Sequence, residues 1–113
     1  MLDISDKIIH NICMKKLEKE FVRSGFYHKL VKRVGNVAIY QRGKLDSDDS
    51  HFEVIKISKH NGYKMGGAYI DAAETYPGAS LWGLQGWTCT DMERAEEYFS
   101  EACTRFNNKY VTV

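Results

Sequence analysis

The chain has 113 residues, 43% of them hydrophobic, and its 16 Lys/Arg nearly balance 15 Asp/Glu to leave a formal charge of +1. That length supports one hydrophobic core and excludes two ordinary domains, while ample apolar content at low net charge excludes global disorder. No apolar run approaches the roughly 20 residues needed to span a bilayer, so the expectation is one domain over residues 1–113 with no membrane partner.

The opening MLDISDKIIHN has no basic region followed by a continuous apolar stretch, so it does not read as a secretory signal. From Ser5 to Arg23 the residues Ile8, Ile9, Ile12, Cys13, Leu17 and Phe21 recur at helical spacing. The spacing predicts an N-terminal helix over 5–23, capped by Asp3 or Ser5, with Gly25 ending it. Tyr27–Arg33 and Asn36–Arg42 then read as strands around a tight turn at Gly35 and Asn36. In the first strand the facing is ambiguous, because both Leu30/Lys32 and Val31/Arg33 mix apolar with basic.

The polar stretch GKLDSDDS at 43–50 is a loop, and its Asp46, Asp48 and Asp49 lack the glycine and glutamate spacing of an EF-hand. His51–Ser58 is the clearest strand, with Phe52 and Val54 facing one way and Glu53, Ile55 and Ile57 the other. After a turn at 60–62, residues 63–70 form an irregular strand, with Gly66 and Gly67 marking a bulge or a close backbone contact. Residues 71–86, glycine-rich and aromatic and broken by Pro77, read as a long ordered loop before a short strand at Trp87–Cys89. A final helix over 91–107 opens with the capping-box pair Thr90 and Glu93 and carries the stripe Met92, Ala95, Phe99, Ala102, Cys103 and Phe106. Tyr110–Val113 is either a frayed tail or an edge strand. Together these elements predict an α+β fold, an antiparallel sheet of four or five strands packed by an N-terminal and a C-terminal helix.

Chemistry is sparse. The glycines at 62, 66 and 67 lack both the dinucleotide-binding and the phosphate-loop spacing. His10 and Cys13 form one close pair, short of the four donors zinc normally takes. No metal and no cofactor are expected. Cys13, Cys89 and Cys103 are odd in number and widely spaced, which fits buried thiols in the cytoplasm better than a disulfide framework. No GxSxG elbow occurs, and the acid–base pairs worth weighing are Glu53 with His51, and Asp71 or Glu74 near Tyr76. The expectation is that the chain is not an enzyme and has no catalytic residue.

Two binding readings remain. Residues 1–45 carry ten Lys/Arg against four Asp/Glu, and the rest carries six against eleven. Lys15, Lys16, Lys19, Arg23, Lys32 and Arg33 therefore make a nucleic-acid-binding alternative through phosphate contacts. The leading reading is a protein interface on the aromatic, glycine-punctuated 69–87 segment. Tyr69, Tyr76 and Trp82 would be its anchors, and Arg33 and Arg42 its steering charges.

FEVIKI at 52–57, Gly66 and Gly67, Tyr76–Pro77, Trp82–Gly83, Gly86–Trp87–Thr88, Ala95 and Phe99 together resemble small accessory proteins of bacteriophages and mobile elements. The resemblance implies a small intracellular factor that binds a host or bacterial protein, in the manner of a phage-type inhibitor, and it transfers no catalytic residue. Trp82–Gly83, Gly86 and the 92–106 helix also resemble the WGR domain, but Leu84 stands where the defining arginine would be.

Overall fold

The computed structural model describes residues 14–107. The main sheet has five antiparallel strands in the order β1-β2-β3-β4-β9: β1 Glu20–Arg23, β2 Phe26–Val34, β3 Val37–Lys44, β4 Ser50–Lys56 and β9 Gly86–Cys89. Two ribbons of two strands are inserted between β4 and β9. One pairs β5 Ser58–His60 with β8 Ala73–Thr75, and the other pairs β6 Tyr63–Met65 with β7 Ala68–Ile70. A 3₁₀ turn at Ala79–Leu81 precedes β9, and α1 Met92–Asn107 ends the described chain.

The expected N-terminal helix is corrected here. Its first part, residues 5–13, lies outside the described residues, and its second part is extended: Lys15 bridges Ala73, and Glu20–Arg23 pairs with β2. Thus α1 is the one α-helix among the described residues, rather than one of a pair. The physical reason is at Ser24 and Gly25, whose φ values of 55° and 81° make a two-residue hairpin turn instead of a helix stop. Leu17 and Phe21, four apart as on a helix, both reach the sheet from extended backbone. Helical spacing over a few apolar residues does not by itself separate the two.

Alternation along β3 and β4 gives the sheet two buried faces. Val37, Ile39 and Val54 meet Ala95, Phe99 and Ala102 of α1, with Phe52, Trp87, Met92, Cys103 and Phe106 around them. Ala38, Tyr40, Ile55 and Ile57 point the other way and are covered by Leu17, Phe21, Leu30, Tyr76 and Trp82. Full burial of a residue such as Ile39 or Ile55 contributes about 1.5–3 kcal/mol. The loop and extended segments at 14–19 and 72–82 thus do on the second face what α1 does on the first.

Local polar contacts fix both covers. At the start of α1, Asp91 Oδ1 accepts the Arg94 amide at 2.8 Å, so the cap is Asp91 and not the expected Thr90. At its end, Asn107 Nδ2 donates to Val34 O at 2.8 Å and Oδ1 accepts the Asn36 amide at 3.1 Å, stitching the helix to the β2–β3 turn. On the other face, the Lys15 amide donates to Ala72 O, and the Glu74 amide donates to Lys15 O at 2.8 Å.

A bulge resolves the facing of β2. Leu30 pairs with Tyr40 and Lys32 with Ile39, leaving Val31 as an extra residue. Lys32 thereby turns to the helix side, where Nζ lies 2.8 Å from Glu96 and 4.7 Å from the Phe99 ring centroid. Arg33 turns to the opposite side, toward Glu74. Among the described residues no helix is long and apolar enough to cross a membrane.

Candidate functional site

The second face carries a polar cluster at one end. Register places His28 beside Arg42 and Arg42 beside His51, while Tyr40 is beside Glu53 and Glu53 beside Thr88. The two-residue period of each strand sends these side chains to the same side as Tyr40 and Ile55. Glu53 is buried at 5% exposure, and its Oε1 accepts the Tyr76 hydroxyl at 2.5 Å. Its Oε2 lies 3.6 Å from Arg42 Nη1 and 3.5 Å from His51 Nε2.

Aromatic rings wall this carboxylate. Tyr76 meets Tyr40 and His28 edge-on at 5.4 Å, and lies near-parallel to Trp82 at 6.5 Å. His28 stacks on Phe21 at 4.5 Å, and Arg42 lies 3.8 Å above the Phe26 ring. Burial pushes the His28 imidazole below its ordinary pKa, against the opposing pull of Glu53. Burial first, and then the charge of Glu53, pushes the Tyr76 phenol far above its ordinary value. Among the described residues, His28 Nδ1 and His51 Nε2 are buried and have no hydrogen-bond partner. Between the cluster and the 76–82 segment lies an open cleft of about 450 Å³ lined by Arg23, His28, Arg42, Glu53, Tyr76 and Trp82, among others.

The β6–β7 ribbon is a second feature of a different kind. Gly66 and Gly67, at φ 57° and 86°, form its two-residue turn, so the glycine pair closes a hairpin and makes no bulge. All six strand residues are exposed. Tyr63, Met65, Tyr69 and Ile70 stand 45%, 61%, 60% and 36% open, and the two strands contact chiefly each other.

The residues singled out from sequence fall into separate places. Tyr69 is on the ribbon, whereas Tyr76 and Trp82 are half-buried over the second face, with Trp82 Nε1 donating to Thr88 Oγ1 at 3.0 Å. Arg42 belongs to the Glu53 cluster, and Arg33 holds Glu74. Lys15, Lys16, Lys19 and Arg23 are exposed, while Lys32 is engaged by Glu96. Of the acid–base pairs, His51 and Glu53 are brought together, Glu74 is committed to Arg33, and Asp71 is exposed. His10 and Cys13 lie outside the described residues. Burial pushes the Cys89 and Cys103 thiols up, and no group of three or more His, Cys, Asp or Glu that could hold a metal occurs among the described residues.

Read from sequence, neither His28 nor Thr88 is linked to Glu53. The available signal was strand period: His28 with Leu30, Tyr40 with Arg42, and His51 with Glu53 are each two apart on adjacent strands. Compared with known protein families, curated proteins and solved structures, the chain matches none.

Proposed function

We infer that this chain is a non-enzymatic protein-binding accessory factor whose contact element is the β6–β7 ribbon. One observation carries the reading: among the described residues, Tyr63, Met65, Tyr69 and Ile70 are exposed on a two-stranded hairpin that packs on neither face of the main sheet. An isolated hairpin is marginal in water, and register puts Tyr63, Met65 and Ile70 on one face of the ribbon and Tyr69 on the other, so a protein partner that covers either face buries exposed aromatic or apolar side chains. The resemblance to phage accessory proteins supports a host or bacterial protein as partner, with inhibition as the specific consequence. Cysteine usage supports a cytoplasmic setting.

The steering role first assigned to Arg33 and Arg42 is weakened, since both are engaged inside the fold. Nucleic-acid binding stays as the second reading on the exposed Lys15, Lys16, Lys19 and Arg23, although Lys32 and Arg33 no longer contribute free charge. The test is capture of partners on the immobilised chain with and without nuclease, repeated with Met65→Ser/Tyr69→Ser. A stoichiometric protein that survives nuclease and is lost with the double variant is expected. Recovery of nucleic acid alone, insensitive to that variant but lost when Lys15, Lys16, Lys19 and Arg23 are neutralised, would replace this reading with the second.

A further inference from the structure

We propose that the cleft beside Glu53 binds a small organic anion, a planar apolar body bearing a carboxylate or a phosphate. None of the residues lining this cleft belongs to the ribbon, so the site is independent of the protein interface.

Two guanidinium groups, Arg23 and Arg42, and one carboxylate, Glu53, line the cleft. Neither guanidinium donates a hydrogen bond to another group among the described residues: Arg42 sits 3.8 Å from the Phe26 ring centroid, and Glu53 is 3.6 Å from its Nη1, beyond hydrogen-bonding reach. Glu53 offsets one of the two positive charges and its Oε1 is already occupied by Tyr76, which leaves one cationic charge and a set of unused N–H donors. Guanidinium forks match carboxylate and phosphate oxygens in geometry as well as in sign.

Shape and wall chemistry add the second half. At about 450 Å³ the cleft lies in the range of small-molecule sites and is too roomy for a bare inorganic ion. Besides the arginines, its lining includes Tyr76, Pro77, Ala79 and Trp82, rings and small apolar groups that suit a flat body. His28 also lines the cleft, its ring stacked on Phe21 and edge-on to Tyr76. The rings are already braced against Tyr40, Phe21 and one another, so the wall is preformed.

The test is titration of the nitrogen-labelled full chain with sodium benzoate and with phenyl phosphate, using benzyl alcohol as the neutral control. The signals to follow are the Trp82 indole N–H and the Arg23 and Arg42 Nε–H groups. Saturable shifts with at least one of the two anions are expected, and the two arms separate carboxylate from phosphate recognition. Arg23→Gln should weaken the affinity about tenfold, the loss of one charge-assisted contact, and Ala79→Trp should abolish binding by filling the cleft. Both positions are exposed, so these variants test the site without removing the support that Arg42 gives Glu53. Absence of saturable shifts with either anion overturns the proposal. Equal response to benzyl alcohol, or undiminished affinity in both variants, does so as well.

Discussion

Arg33 on β2 and Glu74 on β8 form a two-pronged ion pair, Nη1 to Oε1 at 2.8 Å and Nη2 to Oε2 at 2.7 Å, which ties the β5–β8 ribbon to the second face of the main sheet. The Glu74 side chain is 1% exposed, and its Oε1 also accepts the Leu17 amide at 2.9 Å. One carboxylate on β8 therefore holds β2 and the Leu17 segment together, and the latter is also bridged to β8 through Lys15 and Ala73.

The hydrogen bonds from Arg33, with a smaller contribution from the Leu17 amide, hold the Glu74 carboxyl down at about 2, from an ordinary 4.5. A depressed folded-state pKa gives stability that is complete above the unfolded value and is lost as pH falls through the folded one. Acid unfolding of the wild type should therefore cost stability between pH 4.5 and 2, by about 3 kcal/mol in all. Arg33→Gln leaves the carboxylate buried without its partner and should cost about 3 kcal/mol at neutral pH. Urea midpoints across that pH range check both, and a variant curve as steep as the wild type would refute the assignment.

At the alkaline end the same face has two tyrosines that resist ionisation. Burial pushes Tyr40 up to about 12, and its hydroxyl donates to Glu18 O at 2.7 Å. Tyr76 is pushed in the same direction by burial and by Glu53. A raised folded-state pKa contributes stability below the ordinary value of 10 that is lost as pH climbs through the folded one. In a spectroscopic titration two tyrosines, Tyr40 and Tyr76, should ionise only as the fold opens. Tyr76→Phe should reduce that number to one.

Some of this architecture was legible in the residues, and the failures have identifiable causes. The alternation of Phe52, Val54 and Glu53, Ile55, Ile57 specified both faces of β4, and the stripe from Met92 to Phe106 specified the buried side of α1. Leu17 and Phe21 misled because a spacing of four fits a helix, while the turn chemistry of Ser24 and Gly25 went unused. The long segment 71–86 concealed β8, which is only three residues long and is held by pairing to β5 and by the distant Lys15. The Glu53 cluster joins residues from four strands and the 76–82 segment, so register had to be known before His28 could be linked to Tyr76.

The start of α1 offers a clean local test. Asp91→Ala removes the acceptor for the Arg94 amide and should cost about 1 kcal/mol, the usual worth of an N-cap. Thr90→Ala, one residue earlier and exposed, should stay within about 0.5 kcal/mol. Chemical denaturation of the two single variants distinguishes them, and the opposite ranking would restore the cap to Thr90.

The β2 bulge makes a sharper claim about register. Val31 is the extra residue, 42% exposed, and Leu30 and Lys32 already pair with consecutive residues of β3. Deleting Val31 therefore converts the bulge to regular pairing without turning Lys32 away from Glu96 or Arg33 away from Glu74. The deletion protein should fold, and Arg33→Gln should still cost about 3 kcal/mol in that background, because the buried pair is intact. The check is a double cycle of urea unfolding with Arg33→Gln in both backgrounds. A folded deletion protein in which Arg33→Gln costs nothing would mean that the strand had slipped, and that Val31 sets the register instead of standing outside it.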